Sequence, residues 1–254
     1  MLSIIIPALN EENYLPRLLD CLKKQSFKNR ASIYGSEGEE EGEALFAYEI
    51  IVADANSKVK TRKIAQAFSC KIIKGGRPAK GKNEGTKIAK GDLLLFLDAD
   101  VLLPKDFLEN ALKEFKGKNL DIATFILTPI TKSKLPKILF DVFYNYPLQI
   151  FERRWPHGAM GILVKKELHK SLRGFDEEIK IGEDHYYIQE GLRLGKFGVI
   201  KTTEILSSLR RFRREGWFRV GLKYALTELY MKFFGPIKKE IFRYEFDYIK
   251  DGKP

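Results

Sequence analysis

One stretch decides the fold of this chain: residues 93–100, with the sequence LLLFLDAD. Five consecutive apolar residues followed by two aspartates are typical of a buried central strand that ends at a polar edge. In open α/β sheets, ligands bind beyond the carboxyl ends of the strands. Asp98 and Asp100 lie two positions apart, so both carboxylates can address one site. Their oxygens suit Mg²⁺ or Mn²⁺ bridging to a substrate phosphate, and the alternative is a strand-end turn with solvated aspartates.

Short apolar runs alternate with helical patterns on both sides of this stretch, which indicates βαβ units. We therefore predict an α/β fold with a Rossmann-like, mostly parallel sheet, flanking helices and a C-terminal helical segment. The predicted strands are 2–7, 48–53, 70–74, 93–97, 122–127 and 161–164. The first predicted helix carries leucines at 15, 18, 19 and 22, with Asn10 or Asn13 as its N-cap. Further helices are predicted at 60–68, 82–90, 104–116, 136–151, 184–194, 216–234 and 237–250, with 142–151 buried.

Composition indicates a globular protein, because 44% of the 254 residues are hydrophobic and 31% are charged. We divide the chain into a main domain at 1–212, with an acidic insertion at about 28–46, and basic amphipathic helices at 213–254. Cys21 and Cys70 are too few for a disulfide framework, so we expect two thiols in a reducing, cytoplasmic compartment. Neither a signal peptide nor a membrane-spanning run is expected, since no apolar stretch approaches about 18 residues.

The formal net charge is +11, and residues 210–254 contribute +6 of it, from twelve Lys and Arg against six Asp and Glu. A basic balance fits anionic partners in general, including diphosphates, acidic lipid surfaces and nucleic acid. Charge alone does not choose among them.

Several separated motifs occur in a fixed order along the chain, and together they carry a family resemblance. They are SIIIPALNEE at 3–12, IIVADANS at 50–57, GDLLLFLDAD at 91–100, GAMG at 158–161, GFDE at 174–177 and GED at 182–184. With these motifs the chain resembles glycosyltransferase family 2, the inverting enzymes with the GT-A fold, over about residues 2–212.

For the donor side, the resemblance implies a nucleotide-sugar site and a divalent cation, Mg²⁺ or Mn²⁺. By this resemblance, Asp54 is expected to recognise the base and Asp100 to bind the metal. Asp98 is expected to lie near the ribose and sugar and to be the second metal ligand. Lys82 and Asn83 match a segment that runs under the donor, where many relatives have Arg-Asn; lysine keeps the charge but lacks the bidentate fork. The remaining implied donor contacts are Pro7, Ala8, Leu9 and Glu11 around the base and ribose, and Ala99 between the aspartates.

For the chemistry, the resemblance implies that Asp184 is a general base and that Glu183 helps to place the acceptor. An inverting transfer is a single in-line displacement, so the acceptor hydroxyl must lose its proton as it attacks. The metal and basic groups would stabilise the diphosphate leaving group. The alternative for Asp184 is a helix cap.

The segment 155–161 is predicted to form the acceptor-side wall, where Trp155 offers a sugar-stacking face or is a core residue. His157, Gly158 and His185 are further acceptor candidates. The run RRFRR at 210–214 suits a diphosphate, and Arg211 is the predicted donor contact. Because this run lacks histidine, a metal ligand from it is not expected.

The C-terminal helices interleave basic with large apolar residues. Such a segment can lie on an anionic membrane surface and bring the site to a lipid-linked acceptor, or it can pack on the core or on a second subunit. We predict an inverting transferase that moves a sugar from a UDP- or GDP-sugar to an acceptor hydroxyl or phosphate, without a nucleic-acid partner. The alternatives are a sugar-phosphate nucleotidyltransferase, disfavoured because the loop after the first strand is not glycine-rich, and a non-catalytic basic binding module.

Overall fold

The computed structural model describes residues 1–25, 47–58 and 60–238. In this part of the chain eight strands form one mixed sheet, in the order β3-β2-β1-β4-β7-β6-β8-β5. The strands are β1 (Leu2–Ala8), β2 (Tyr48–Asp54), β3 (Lys71–Lys74), β4 (Leu93–Leu97), β5 (Val101–Leu102), β6 (Ile122–Pro129), β7 (Gly161–Lys165) and β8 (Phe197–Ser207).

The first half of the sheet is parallel. Strand β1 lies between β2 and β4, so that Ile4 stands opposite both Ile50 and Leu95, and β2 pairs with β3 in the same direction. Both faces are covered by the crossover helices, which is why β1 and β4 consist almost entirely of apolar residues. The predicted α/β class with a largely parallel sheet is confirmed.

The second half changes direction at β7, which runs antiparallel to both β4 and β6. Strand β8 then pairs parallel to β6, with a register shift between Phe125 and Ile126, and β5 is a two-residue partner at the edge of β8. Neither β8 nor β5 was predicted. The polar run KTTE at 201–204 interrupts the apolar pattern of β8 at the register shift, where Lys201 and Thr202 are both exposed; burial alternates from Thr203 onward.

Helices cover both faces of the sheet. They are α1 (Leu15–Lys23), α2 (Thr61–Ala67), α3 (Pro78–Ile88), α4 (Phe107–Gly117), α5 (Lys134–Phe140), α6 (Tyr146–Ile150), α7 (Lys166–Ser171), α8 (Glu183–Leu194), α9 (Arg210–Glu215) and α10 (Trp217–Phe234), with a π-helical turn at Asp141–Asn145 between α5 and α6. Because strand residues alternate in direction, Ile4 and Ile6 belong to the core under α1 and α4, whereas Ile5 belongs to the core under α3 and α8.

Helix α3 approaches β1 closely enough that a glycine is needed at the contact. A Cβ atom added at Gly85 would lie 2.4 Å from Cγ2 of Ile5. This close packing sets the position of Lys82, one turn earlier on the same helix.

Three predicted helix starts are wrong. Tyr14, rather than Asn10 or Asn13, is the N-cap of α1. Helix α3 begins at Pro78 instead of 82, since a proline is favoured in the first turn. Pro104 does not open α4, which begins at Phe107 after a turn.

The prediction that residues 142–151 are buried is also wrong. The helical segment runs over 134–150 and places only Phe140, Asn145 and Leu148 in the interior, because it packs on the rest of the molecule through one face. At the C-terminus, Ile237 makes a β-bridge with Ile181 instead of opening a helix. The rest of the helix predicted at 237–250, and the insertion predicted at about 28–46, lie outside the described residues. Among the described helices, none has the length and apolarity to cross a membrane.

Candidate active site

The predicted donor and catalytic residues come together at one edge of the sheet, where β1, β2 and β4 end. Ala8 pairs with Asp54 at the last position of two parallel strands, and Asp98 and Asp100 follow β4 immediately. The four side chains therefore reach this edge from three neighbouring strands, as the topology of a parallel sheet requires.

The amino end of α8 brings Glu183 and Asp184 to the same edge. Gly182 precedes the helix with φ of 79°, a conformation that favours glycine, and both acids lie in the first turn. Lys82 on α3 reaches across to them: its ammonium contacts the Asp184 carboxylate and lies 3.4 Å from Oε1 of Glu183. The side chain of Lys82 is only 2% exposed, so a full positive charge is buried between the acids.

The pKa values of these groups follow from burial and from mutual pairing. Burial raises the pKa of Asp98, of Glu183 and of Asp184, while the Lys82 charge acts in the opposite direction on all three. Burial alone would lower the pKa of Lys82, but the charges of Asp184, Glu183 and Asp98 raise it above its ordinary value. Lys82 therefore stays protonated at neutral pH, and its charge links the predicted base to the donor aspartates.

A second cation, Arg210 at the start of α9, links Glu11, in the loop predicted to bind the nucleotide, to Asp100. Its guanidinium donates two hydrogen bonds of 3.1 Å to the Glu11 carboxylate, and Nη2 also lies 3.1 Å from Oδ2 of Asp100. The ring of Tyr14 stacks under the guanidinium at 4.5 Å. Burial raises the pKa of Glu11 to about 7, although Arg210 lowers it.

The aspartate pair fits a divalent cation whose coordination is completed by substrate. Among the described residues, no three His, Cys, Asp or Glu side chains are grouped as a metal cage. Mg²⁺ and Mn²⁺ do not need such a cage, because they bind through one or two carboxylates together with phosphate oxygens. Asp98 and Asp100 supply such carboxylates. A bound cation would share Asp100 with the Arg210 guanidinium.

The loops after β1 and β2 are tied to each other, which shapes the predicted base-binding edge. The backbone N–H of Asn10, at φ of 57°, donates to Oγ of Ser57, and the N–H of Lys58 donates to Oδ1 of Asn10. Asp54 is buried at the end of β2 and accepts from the N–H of Ser57. Pro7, Ala8 and Leu9 lie on the β1 side of this junction.

The predicted acceptor residues form a second cluster beside Asp184. The rings of His157 and His185 lie 5.8 Å apart, and His157 packs edge-on against Tyr144 at 5.3 Å. Helix α10 contributes Glu228, which pairs with Nδ1 of His185. It also contributes Lys232, whose ammonium lies 4.3 Å from the centre of the Trp155 ring.

The two histidines have opposite pKa shifts. Burial lowers the pKa of His157, and the neighbouring His185 lowers it further. Burial also acts to lower the pKa of His185, but the Glu228 carboxylate outweighs it and the net shift is upward. The Glu228 carboxylate thus favours the imidazolium form of His185 beside the predicted base, whereas burial favours the neutral form of His157.

Three predicted site residues contact the backbone or neighbouring helices in this structure. Asn83 exchanges hydrogen bonds with the backbone of Phe175 and donates to Glu177. Gly158 sits where an added Cβ would lie 2.5 Å from Ile188. Arg211 donates to the Tyr224 hydroxyl at 3.0 Å, while its charge still reaches Asp98.

Arg210, Glu228 and Lys232 were not predicted as individual site residues. Arg210 lay within the noted basic run, but the sequence does not tell which arginine turns inward. Glu228 carried a usable signal, because it is the one acid in the basic stretch 217–234. An isolated acid on such a helix indicates a specific partner.

The sheet and its acidic edge define the GT-A class of glycosyltransferases, and solved structures confirm the fold. A mannosyltransferase from Pyrobaculum calidifontis, solved with GDP-Man and Mn²⁺, superposes with a TM-score of 0.67 at 18% identity, over 91% of this chain and 63% of that one. Residues 1–349 of TarS from S. aureus, solved with UDP-GlcNAc, give a TM-score of 0.61 at 20% identity, over 82% of this chain and 58% of that one.

The sequence comparison narrows the class to a family. Residues 3–164 match the model described as Glycosyl transferase family 2, and the chain belongs to that family. The poly(ribitol-phosphate) beta-N-acetylglucosaminyltransferase TarS of Staphylococcus aureus is 25% identical over 146 residues, 54% of this chain and 23% of that protein. The chain thus spans about a quarter of the length of the first curated relatives it matches. Family membership favours glycosyl transfer over the nucleotidyltransferase and binding-module alternatives.

Proposed function

We propose that this chain is an inverting glycosyltransferase that moves a sugar from a nucleoside-diphosphate sugar to an acceptor, with Asp184 as the general base. One observation carries the proposal: Asp184 and the donor pair Asp98 and Asp100 lie at the same sheet edge, and the buried Lys82 charge couples Asp184 to Asp98. The proposed site for the diphosphate-linked sugar and the proposed general base for the acceptor hydroxyl are therefore adjacent.

In the proposed reaction, an acceptor hydroxyl attacks the anomeric carbon of the donor sugar from the side of α8. Its oxygen forms the new glycosidic bond, the bond from the anomeric carbon to the diphosphate breaks, and the proton passes to the Asp184 carboxylate. Lys82 favours the ionised form of Asp184, since its charge opposes the effect of burial on the Asp184 pKa. The nucleoside diphosphate leaves with the bonding electron pair.

Two groups would compensate the charge that develops on the leaving diphosphate. A divalent cation held by Asp100 and Asp98 would neutralise its oxygens when bound. Arg210 lies next to the same pair, and its planar guanidinium is suited to bidentate contact with phosphate. Arg211 would add a further positive charge on the Asp98 side.

The nucleotide remains a choice between UDP and GDP. The solved TarS fragment holds UDP-GlcNAc, and the Pyrobaculum mannosyltransferase holds GDP-Man with Mn²⁺. Either base fits the proposal that Asp54 and the loop 7–11 form the base and ribose site. Titration with the two nucleotides therefore decides the donor class.

The test is calorimetric titration of UDP and GDP, each with and without Mn²⁺, into the wild type, Asp100→Asn and Asp92→Asn. Asp92 lies at the amino end of the same strand with a side chain that is 92% exposed, so it is a matched control for an aspartate at the opposite end of β4. We expect one nucleotide to bind with Mn²⁺ and the binding to be lost in Asp100→Asn alone.

Two results would contradict the proposal. If folded wild-type protein binds neither nucleotide, the donor site is absent. If Asp100→Asn and Asp92→Asn bind the nucleotide equally well, the metal and diphosphate site has been placed at the wrong residues.

A further inference from the structure

Exposed apolar side chains are concentrated in two helical segments. Seventeen large hydrophobic residues are exposed in the described part of the chain, and fourteen of them fall within 135–151 or 218–234. The other three are Met1, Ile88 and Leu194. Monomeric soluble proteins rarely expose apolar residues in contiguous groups of this kind, and such groups mark interaction surfaces.

On α10 four of the seven exposed large apolar residues form one stripe. Phe218, Leu222, Leu229 and Phe233 recur at helical spacing, and Phe218 and Phe233 are 82% and 67% exposed. The buried residues Val220, Thr227 and Met231 lie on the opposite face. At about 100° per residue the two sets are separated by roughly half a turn. The helix therefore packs on the molecule with one face and presents an apolar stripe with the other.

The segment from α5 to α6 repeats this arrangement. Ile138, Val142, Tyr146 and Ile150 recur every four residues and are all exposed, and Phe143 beside them is 75% exposed. A four-residue repeat places side chains on one face of a helical segment. The interior positions of this segment are few, as described above, so its outer face has no partner among the described residues.

Contacts along the two segments run in the same order, which places them side by side. At one end, Phe140 packs 6.5 Å from the ring of Trp217. In the middle, Tyr144 connects through His157 and His185 to Glu228. At the other end, Trp155 lies under Lys232. The predicted acceptor residues therefore lie between the two segments.

The charge around this surface is positive. Residues 132–154 contain five Lys and Arg against two Asp and Glu, and residues 217–234 contain three against one. On α10, Arg219 and Lys223 follow one side of the apolar stripe, and Lys232 follows the other. An apolar stripe bordered by basic residues matches an anionic lipid surface, where apolar side chains enter the headgroup boundary and cations meet lipid phosphates.

We propose that segments 134–151 and 217–234 together form a membrane-binding platform that seats the protein on an anionic bilayer surface. The acceptor residues between the segments then open toward the lipid headgroups, so the acceptor is an amphiphile whose polar end enters from that side. The statement about the acceptor rests on the proposed function; the platform itself does not.

The test is flotation of the full chain with vesicles of phosphatidylglycerol and phosphatidylcholine, and with vesicles of phosphatidylcholine alone. The variants are Phe143→Ser/Ile150→Ser and Phe218→Ser/Phe233→Ser, and the control is Ile88→Ser/Leu194→Ser, which removes two exposed apolar residues elsewhere. We expect binding to the anionic vesicles, weakened by high salt, and at least about tenfold weaker in each platform variant because apolar burial drives interfacial binding. The control is expected to bind like the wild type.

The orientation has its own readout. The chain has two tryptophans: Trp217 contacts Phe140 of the other segment, and Trp155, just after segment 134–151, lies under Lys232. Vesicles with brominated acyl chains should therefore quench the fluorescence of bound protein. Bound protein that is not quenched would overturn the orientation.

The platform is overturned if the wild type ignores anionic vesicles, or if both platform variants bind as the wild type does. It is also overturned if light scattering shows a dimer that the same substitutions dissociate and vesicles remain unbound, because a second copy then covers the surface. Nucleotide titration of each variant separates the two proposals. Lost vesicle binding with retained nucleotide binding supports the platform, and vesicle binding by a wild type that binds no nucleotide would refute only the proposed function.

Discussion

The ammonium of Lys82 contacts the carboxylate of Asp184, from helix α3 to the first turn of α8, and is almost completely removed from solvent. A buried lysine is tolerated only where anions compensate it, and here Asp184, Glu183 and Asp98 all do so. The contact joins residues 102 positions apart in the chain. The stability of the fold and the proposed chemistry therefore both depend on the Lys82 charge.

Replacing Lys82 by Met should destabilise the protein strongly. The substitution leaves three largely buried carboxyl groups without their cation, and loss of one partner from a buried ion pair typically costs about 3–5 kcal/mol. Urea unfolding at neutral pH measures the loss. Lys87→Met on the same helix is the control, because Lys87 pairs with Glu84 at the surface; a similar shift in both variants would show that the buried charge has no special weight.

Asp184→Asn should lower the transfer rate by at least about 10²-fold, the usual contribution of a positioned general base. Nucleotide binding should be retained, because the donor pair is untouched. Glu190→Gln, on the same helix and paired with Arg193, is the control. Near-normal transfer by Asp184→Asn would remove this residue from the proposed role.

The pH profile gives a second test of the same residue. Burial raises the pKa of Asp184, and a base must be ionised, so kcat/KM should rise with pH through a value above that of an ordinary aspartate. Lys82→Arg keeps a positive charge next to the carboxylate and should keep a measurable acid limb. An acid limb at the position of an exposed aspartate would contradict the assignment.

Glu11 should make stability fall as pH rises between about 4.5 and about 7. Burial raises its pKa in the folded protein to about 7 from an ordinary 4.5, so the folded state binds more protons than the unfolded state in this window. The stabilisation that Glu11 contributes is therefore fully present below its unfolded pKa and is lost as pH rises through its folded pKa. Urea unfolding across this range, in the wild type and in Glu11→Gln, measures the difference.

Arg210→Gln extends this test. Because Arg210 lowers the pKa of Glu11, its removal should move the decline in stability to higher pH. Arg213→Gln, an exposed neighbour in the same run, should leave the profile unchanged. Identical profiles for all three proteins would mean that Arg210 does not set the ionisation of Glu11.

The three histidines can be followed separately by NMR titration of their ring protons, since the chain has no others. We expect His185 to titrate above its ordinary value, His157 below it, and the buried His169 at about 4. Glu228→Gln should lower the pKa of His185, because the carboxylate is what raises it, and should leave His169 in place. If Glu228→Gln leaves the pKa of His185 unchanged, α10 does not complete the acceptor cluster.

Much of the fold was predictable because local patterns and tertiary packing agree there. The run 93–97 is apolar at every position, and a strand with that pattern has a low free energy only in the middle of a covered sheet. Strand β8 was missed because its polar run includes residues 201–203, which lie at the register shift against β6 and break the apolar pattern. The exposure of 142–151 was not predicted because apolar residues are usually expected in the core, and several of them lie on the surface here.

The sequence by itself determined the class of fold and predicted the acidic site, because a buried strand ending in two aspartates and an acid pair at a helix start occur together with several other motifs in the order of one family. Tertiary structure alone decided which charges meet. Lys82 rather than a solvent ion compensates Asp184, Arg210 rather than Arg211 bridges Glu11 and Asp100, and Glu228 reaches His185 from a distant helix. Such pairings depend on distances of a few ångströms between residues far apart in the chain, since Coulomb energies in a buried site change steeply with distance and exposure.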